Sequence, residues 1–300
     1  MFALCRTLRA VRKTSLYLPD LLKRALERRA EATGRSEAAV VRAAIEAEVR
    51  LEGPAAAPPA SDPPRPGRLV GVGVGPGDPD LLTVRAVRAL RRADRVVAPA
   101  TAVDAVGRAE LVVRQAVPGV LLERIPFAMS PGRAERDGSI AAAARTVACY
   151  LDGGEVAFVT LGDPLTYSTF SSVAAAVRHL RPSTVVEQVP GIMAFQALAA
   201  RTGTVVTDET QRLVVRTALD GEDLAADLDD PAATVVLYKG GRRLPDLAAA
   251  ATTAGRIDGA VAGELLGMPG ERVGSLADVA ASGPASYLAT VIVPAVERGR

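Results

Sequence analysis

The sequence feature that most constrains the fold of this chain is a stretch of four glycines directly after an apolar run. Residues 71–79 read GVGVGPGDP and follow Leu69 and Val70. Because glycine has no side chain, such a loop lets another group approach the backbone closely. A dinucleotide-binding loop needs the pattern G-x-G-x-x-G, but Pro76 or Asp78 stands at the third glycine in the two possible frames. Pro76 has no N–H to donate and Asp78 would repel phosphate, so the pattern argues against a nucleotide phosphate loop.

Composition and length limit the possible classes of protein. The chain has 300 residues, of which 49 % are apolar and only 3 % aromatic, so we expect two or three domains with aliphatic cores. No apolar run reaches the roughly 18 residues of a membrane span, and no secretory signal is evident. The two cysteines, Cys5 and Cys149, and the single histidine, His179, have no metal-ligand spacing. We therefore predict a cytoplasmic protein without a metal site and without a membrane partner.

A proline-rich segment divides the chain. Residues 53–67 hold six prolines and are typical of an extended, semi-rigid linker. Residues 1–52 carry 11 basic and 7 acidic side chains, a net charge of +4, whereas the rest carries 25 and 27, a net charge of −2. The sequence thus predicts a small basic domain over residues 10–52, the linker over 53–67 and a larger body from residue 68 onward.

The small basic domain is predicted to contain one strand and two helices. The side chains of residues 13–18 follow the two-residue period of a strand, and Pro19 ends this pattern. A helix over 21–33 ends at Gly34, and Ser36 is a candidate N-cap of a second helix. About 40 residues cannot bury the apolar face of that second helix alone. We therefore expect this domain to pair with a second copy of itself.

The body alternates between strand and helix patterns, which indicates an α/β architecture with largely parallel sheets. The predicted helices lie at 83–93, 137–152, 171–180, 192–201 and 245–254. The predicted strands lie at 69–72, 95–98, 111–113, 156–160, 185–189, 213–216, 234–238, 260–262 and 287–293. We place one α/β domain over 68–190 and a second over 191–300.

Four predicted strands end in glycine loops, at residues 75–77, at Gly162, at Gly191 and at residues 240–241. Ligands of open α/β sheets bind beyond the carboxyl ends of the strands. Each loop alone is equally consistent with a tight turn. Together, in this order, the four loops predict one wall of a shared crevice.

In this order the motifs resemble the tetrapyrrole methylases of corrin and sirohaem biosynthesis. The resemblance covers about residues 68–293 and is carried by RLVGVGVGPGDPDLLTVRAVRALRRADRVVAPA at 68–100, IPFAM at 125–129, TLGDPLTYSTF at 160–170 and SYLATVIV at 286–293. It is nearest to the branch that methylates precorrin-2 at carbon 20. The resemblance implies a homodimer of two α/β domains, with S-adenosylmethionine in the cleft between them, a tetrapyrrole substrate and a place in cobalamin biosynthesis.

The resemblance also implies a set of cofactor-binding residues. Pro76 would lie at the cofactor edge, and Leu161, Gly162 and Asp163 would hold the methionine part and the ribose. Met193 and Ala194 would continue that wall, and Tyr238 and Ala262 would flank the adenine. The family more often has Thr or Ser at the position of Met193, and Met-Lys-Ala-Gly at residues 238–241.

Other residues are candidates for the substrate. A glycine-dense loop with Gly73, Gly75 and Gly77 suits a flat macrocycle close to the backbone, and Tyr167 and Ser168 could face it. Asp78 could assist proton removal from the macrocycle or only cap its loop. Because the substrate carries many carboxylates, arginines should bind them in pairs of hydrogen bonds. The candidates are Arg85, Arg88, Arg124, Arg133 and Arg136.

The small basic domain resembles ribbon-helix-helix proteins, in which paired strands enter the major groove of DNA. Strand alternation would point Lys13, Ser15 and Tyr17 outward toward bases. An alternative is a dimerisation unit without DNA binding. For the whole chain, two alternatives to methylation at carbon 20 are a DNA-binding regulator that senses S-adenosylmethionine or a tetrapyrrole, and a sister methylase with another target atom.

Overall fold

The structure is a computed structural model that describes residues 20–49, 66–102, 104–127, 132–219, 224–283 and 285–296. The chain forms two compact units, Met1–Pro63 and Pro64–Arg300. The predicted strand at 13–18, with Lys13, Ser15 and Tyr17, lies outside the described residues, as does most of the linker. The domain boundaries given above stay predictions.

The first unit contains two helices, α1 (Asp20–Thr33) and α2 (Glu37–Val49). Gly34 follows α1 with φ +63°, a conformation that side chains disfavour, and this ends the helix. The Ser36 Oγ accepts a hydrogen bond from the Ala39 N–H at 3.3 Å and so caps α2. Lys23 of α1 forms an ion pair with Glu37 of α2. Both helices agree with the sequence pattern.

The second unit begins with a five-stranded parallel sheet, which with its covering helices we call the first lobe. Its order is β3-β2-β4-β1-β5. Side chains of alternate residues pack on opposite faces, so Val70 and Leu90 lie in one core and Phe158 and Phe170 in the other. The strands are β1 (Arg68–Gly73), β2 (Arg95–Ala100), β3 (Leu122–Pro126), β4 (Glu155–Thr160) and β5 (Val185–Val189). The helices are α3 (Val84–Arg92), α4 (Arg108–Ala116), α5 (Arg133–Tyr150) and α6 (Phe170–Leu180).

A second five-stranded sheet, with its helices, forms the second lobe. Its order is β6-β7-β10-β8-β9, in which β6 and β7 are parallel and the other neighbours antiparallel. The strands are β6 (Arg212–Thr217), β7 (Ala233–Tyr238), β8 (Val261–Glu264), β9 (Arg272–Ser275) and β10 (Thr290–Val293). The helices are α7 (Ala194–Thr202), α8 (Ala225–Leu228), α9 (Leu244–Thr253) and α10 (Leu276–Ala281).

Two sequence predictions differ from the structure. The apolar run at 111–113 is helix α4, not a strand, because Ala109, Val112 and Val113 bury one helical face. The second sheet is mixed rather than largely parallel, because β10 returns antiparallel between β7 and β8. Within the described ranges, no helix has the length and hydropathy needed to span a membrane.

Candidate functional site

A cavity lies where strand ends of the two lobes meet. The first lobe contributes loops that follow β1 and β4, together with the start of α4. The second lobe contributes the loops that follow β7 and β8, the start of α7 and the start of β10. The lining residues are Pro76, Arg108, Leu161, Gly162, Asp163, Thr166, Tyr167, Met193, Ala194, Tyr238, Lys239, Leu265, Leu266, Met268, Leu288 and Thr290.

The glycine loops of the first lobe pack against one another backbone to backbone. The Gly162 N–H donates to the Gly75 carbonyl at 2.8 Å. A Cβ built on Gly191 would lie 2.1 Å from the Gly162 carbonyl oxygen, and one on Gly73 2.5 Å from the same oxygen. A Cβ on Gly77 would lie 2.2 Å from the carbonyl oxygen of Leu266 in the other lobe. The close approach predicted from sequence therefore takes place between loops of the chain itself, and these glycines set the shape of the cavity floor.

Asp163 ties two of these loops together. One carboxylate oxygen accepts from the Leu165 N–H at 2.8 Å and the other from the Gly191 N–H at 3.2 Å. A carboxylate oxygen accepts more than one hydrogen bond, so Asp163 still has acceptor capacity toward the cavity that it lines. Its position is fixed before any ligand arrives.

Two tyrosines join the lobes across the cavity. The rings of Tyr167 and Tyr238 meet edge to face, with centroids 6.1 Å apart. The Tyr167 hydroxyl donates to the Val215 carbonyl in β6 at 2.8 Å. The Phe195 N–H donates to the Tyr238 hydroxyl at 3.4 Å, and burial raises the pKa of Tyr238 above its ordinary value. Tyr238 is therefore neutral at physiological pH.

Backbone strain is concentrated at this cavity. Among the described residues, four that are not glycine have positive φ, and three of them line the cavity: Tyr167 at +48°, Lys239 at +62° and Leu265 at +52°. Such conformations cost on the order of 1–3 kcal/mol each and persist where the surroundings enforce them, often at functional sites. This clustering marks the cavity as the candidate active site.

Thr290 supplies an unsatisfied polar group. Its side chain is fully buried, and its Oγ1 has no hydrogen-bond partner among the residues that the structure describes. Thr290 starts β10 and pairs with Tyr238 of β7, which places both at the cavity. Buried hydroxyls are normally bonded, so this one indicates a site for a polar ligand atom.

The structure brings seven of the eight sequence-predicted cofactor residues together in the cavity lining: Pro76, Leu161, Gly162, Asp163, Met193, Ala194 and Tyr238. The eighth, Ala262, is fully buried within β8 and is not among the described lining residues. Its backbone pairs with Val291 and Gly274 instead.

The predicted substrate residues are more scattered. Tyr167 lines the cavity, whereas Gly73, Gly75 and Gly77 form the loop contacts described above. Ser168 lies behind the lining, where its Oγ is 3.1 Å from the Thr160 hydroxyl.

Asp78 occupies a structural position. One of its oxygens accepts from the Asp80 N–H at 3.0 Å, and the other is 3.9 Å from the Arg201 guanidinium. This geometry agrees with the loop cap of the two sequence-based interpretations, and the role of proton acceptor stays a prediction.

The arginines predicted to bind the substrate also lie in different places relative to the cavity. Arg124 donates to the buried Glu110 at 2.6 Å, and Arg85 and Arg88 are exposed on α3. None of these three is among the described lining residues. The side chain of Arg133 lies outside the described residues, and Arg136 is exposed on α5 and is not among the described lining residues. Burial lowers the pKa of Lys239, and the charge of Arg136 lowers it further.

Several lining residues were not identified from sequence. Arg108 and Thr290 carry no local signal, since one begins a helix and the other a strand. Lys239 precedes the glycine pair at 240–241 that the sequence did mark as a strand end. Leu265, Leu266 and Met268 surround Gly267, and the motif LGMPG at 266–270 is a turn signal that could have identified them.

Two α/β lobes with strand ends around one shared cavity define a two-lobed α/β fold with a cleft that can hold a ligand. The sequence model of the protein family described as "Tetrapyrrole (Corrin/Porphyrin) Methylases" matches residues 68–280. The chain belongs to this family. Enzymes of the family transfer a methyl group from S-adenosylmethionine.

Individual relatives agree with the family assignment. The chain is 34 % identical over 240 residues to a Sinorhizobium protein named precorrin-2 C(20)-methyltransferase, covering 76 % of this chain and 95 % of that protein. It is 30 % identical over 230 residues to the cobalt-precorrin-2 C(20)-methyltransferase of Salmonella typhimurium, covering 76 % and 96 %. The crystal structure of a cobalt precorrin-4 methyltransferase shares the fold, with a TM-score of 0.57, 22 % identity and coverage of 76 % and 94 %.

The cavity suits the methyl donor. Thr290 offers an unpaired hydroxyl, Asp163 offers acceptor capacity for hydroxyl or amino groups, and apolar side chains such as Leu161 and Met193 complete the wall. In the described part of the chain, no group of three or more His, Cys, Asp or Glu side chains could hold a metal ion.

Proposed function

We propose that this chain transfers the methyl group of S-adenosylmethionine to carbon 20 of precorrin-2 or its cobalt form in cobalamin biosynthesis. Two relatives named for this reaction are matched over at least 95 % of their length at 30–34 % identity, which supports the substrate and the position. The observation that carries the proposal is the shared cavity itself, where the predicted cofactor residues meet beside the unpaired Thr290 hydroxyl.

The sulfonium of the donor supplies an already activated methyl group. The protein must therefore align it with the attacking carbon and exclude water, and no protein nucleophile is needed. Asp163 would hold the ribose or amino group, Tyr238 would pack against the adenine, and Thr290 would donate or accept a hydrogen bond nearby. Because Asp163 is already held by two backbone N–H groups, little ordering remains for the moment of binding.

The test is product analysis with a labelled donor. The purified chain is incubated with S-adenosylmethionine carrying ¹³C in its methyl group and with precorrin-2, prepared with and without cobalt. The proposal predicts one new ¹³C methyl signal, assigned to carbon 20. A methyl group on another ring carbon would favour a sister methylase, and no transfer to either substrate would contradict the proposal.

We also propose that residues 10–52 form a ribbon-helix-helix dimer that binds DNA through Lys13, Ser15 and Tyr17. Helices α1 and α2, joined at Gly34, support this arrangement, as does the +4 charge of residues 1–52. The homodimer and a cytoplasmic location belong to this proposal too. A mobility shift of promoter DNA by the full chain, lost in a Lys13→Ala, Tyr17→Ala variant, would support DNA binding. A dimer that shifts no DNA would indicate a dimerisation unit that does not bind DNA.

A further inference from the structure

Lys239 is the only lysine among the 25 basic residues that follow residue 52, and all the others are arginines. It lines the cavity between the lobes, whereas the single histidine, His179, is exposed on α6. Arginine keeps its proton in proteins, but a lysine amine can lose its proton when it is buried or lies near positive charge. The one lysine of the second unit therefore lies at the candidate active site.

Hydrogen bonds on both sides of Lys239 fix its backbone at the end of β7. The carbonyl of Tyr238 accepts from the Ala218 N–H at 2.7 Å, and the Gly240 N–H donates to the Ala289 carbonyl at 3.4 Å. Lys239 between them has φ +62°, a conformation that residues with side chains disfavour, and its side chain is only partly exposed. The fold thus holds Lys239 at the cavity despite the backbone strain.

The other titratable groups of the cavity lining are poorly suited to accept a proton. Arg108 keeps its own proton. Two backbone N–H groups already bond to the Asp163 carboxylate, which the proposed function assigns to the cofactor. The hydroxyl of Tyr167 donates to a backbone carbonyl, and burial raises the pKa of Tyr238, so that its hydroxyl keeps its proton. The lining residues that follow β8 and those of β10 carry no charge.

The surroundings of Lys239 favour its neutral amine. Burial lowers the pKa of Lys239, and the charge of Arg136 lowers it further. Within the described ranges, no carboxylate forms an ion pair with Lys239, and Arg108 lines the same cavity. A bound methyl donor would add the positive charge of its sulfonium, which also disfavours an ammonium nearby. Lys239 is therefore a cavity-lining group that can be neutral before the reaction and charged after it.

The proposed reaction requires such a group. Methylation at carbon 20 replaces a hydrogen by a methyl group, so the C–H bond must break, and its electron pair returns to the conjugated system of the macrocycle. The donor supplies the methyl group and leaves as a neutral thioether, so the macrocycle carries the positive charge until the proton is lost. General bases in enzymes accelerate such proton transfers about 10²- to 10⁴-fold.

We propose that the neutral amine of Lys239 accepts the proton that carbon 20 loses. The inference rests on the proposed function for the identity of the reaction. The proton becomes part of the Lys239 ammonium and passes to water from this partly exposed side chain. Asp78, the sequence-based candidate for proton removal, is not among the described lining residues.

The first test follows the protonation of Lys239 directly. The full chain has three lysines, Lys13, Lys23 and Lys239, so ¹³C-labelled lysine gives few signals by NMR. The signal that disappears in Lys239→Arg should titrate below the ordinary lysine pKa of about 10.4, and lower still with S-adenosylmethionine than with the uncharged S-adenosylhomocysteine. Lys23 is the internal control, because its hydrogen bond with Glu37 raises its pKa. Titration of Lys239 at or above the ordinary pKa would overturn the proposal.

The second test measures the single-turnover rate of product formation from precorrin-2. In wild type the rate should rise with pH and level off once Lys239 is neutral. Lys239→Arg keeps the positive charge but removes the acceptor, so the rate should fall about 100-fold or more. Lys239→Ala should be equally slow and should regain part of its rate with added ethylamine. The matched control, Lys23→Arg, should keep the rate within about twofold of wild type.

Binding of S-adenosylhomocysteine, measured on every variant, separates proton transfer from a structural role. The proposal predicts affinities within about threefold of wild type. Lys239→Arg with the wild-type rate, or a slow rate explained by lost binding, would overturn the assignment of Lys239. The proposed function fails on a different result, the absence of methyl transfer to carbon 20 by wild type, so the two failures are distinguishable.

Discussion

Thr290 is the residue of the cavity lining whose buried hydroxyl lacks a hydrogen-bond partner within the described structure. Replacing it with valine removes a polar group that the described residues leave unsatisfied. We expect Thr290→Val to weaken S-adenosylhomocysteine binding about 3- to 10-fold by calorimetry while the melting temperature stays the same or rises. The matched control is Thr252→Val on the exposed face of α9. Equal affinities in the two variants would show that this hydroxyl does not contact the donor.

We expect Glu110 to make the stability of the protein depend on pH. It is buried in α4, and its hydrogen bond from Arg124 holds the pKa of its carboxyl below the ordinary value. Such a carboxyl contributes stability above its unfolded pKa of about 4.3, and this contribution is lost as the pH falls through the lower folded pKa.

We therefore expect Glu110→Gln to lower the melting temperature at pH 7 and to flatten its decline between about pH 5 and pH 3. Thermal unfolding across this pH range, with the exposed Glu135→Gln as control, measures both effects. If the Glu110 variant kept the wild-type slope, the ion pair would not contribute to acid sensitivity.

Among the structural elements, the close packing of the glycine loops predicts how an added side chain would change the cavity. A Cβ on Gly191 would lie 2.1 Å from a backbone oxygen and 2.8 Å from the Gly73 carbonyl carbon, so Gly191→Ala must displace the cavity floor. We expect a loss of at least 10-fold in S-adenosylhomocysteine affinity, on the general rule that small misplacements at a site cost about that much or more.

Gly138→Ala is the matched control for this loop variant. Gly138 lies within α5, and a Cβ there would meet nothing within 4 Å. The substitution should raise the free energy of unfolding by about 0.5–1 kcal/mol and leave ligand affinity unchanged. An unaltered affinity in the Gly191 variant would show that the loop contact does not shape the site.

Arg256 connects several elements of the second lobe through hydrogen bonds. Its buried guanidinium donates to the carbonyls of residues 228, 230, 233, 293 and 294, which connects α8, β7 and β10. Arg256→Met removes all five of these hydrogen bonds, so we expect the free energy of unfolding to fall by about 3 kcal/mol or more. Chemical denaturation measures it, and the exposed Arg178→Met of α6 should change stability by no more than about 0.5 kcal/mol. A similarly small change at Arg256 would contradict its role.

Sequence patterns predicted most strands and helices of the second unit but missed β3, β9, α4, α8 and α10. The parallel first sheet follows from apolar runs such as Val156–Thr160 that are buried on both faces. Strands β3 (LERIP) and β9 (RVGS) contain charged residues and are only partly buried, so no apolar run marks them in the sequence. In the run at 111–113, Val112 and Val113 belong to the buried helical face that includes Ala109, whereas Leu111 is exposed, and only packing against the sheet distinguishes a helix from a strand here.

At the scale of the whole molecule, the sequence predicted that several strand ends share one crevice. It could not predict which glycines would open toward the cavity and which would pack against each other. Gly162 does both, since it lines the cavity and bonds to Gly75. Arg108 and Lys239 were not chosen from sequence, because they are 131 positions apart and reach one cavity only when the lobes assemble.

In the proposed reaction, the strand ends of both lobes hold the methyl donor in one cavity. The most direct measurement is a crystal structure of the full chain with S-adenosylhomocysteine. We predict the ligand between the lobes, with the Thr290 hydroxyl within hydrogen-bond distance, the adenine against Tyr238 and the remainder beside Gly162 and Asp163. A ligand bound outside this cavity, or contacting one lobe alone, would contradict the account.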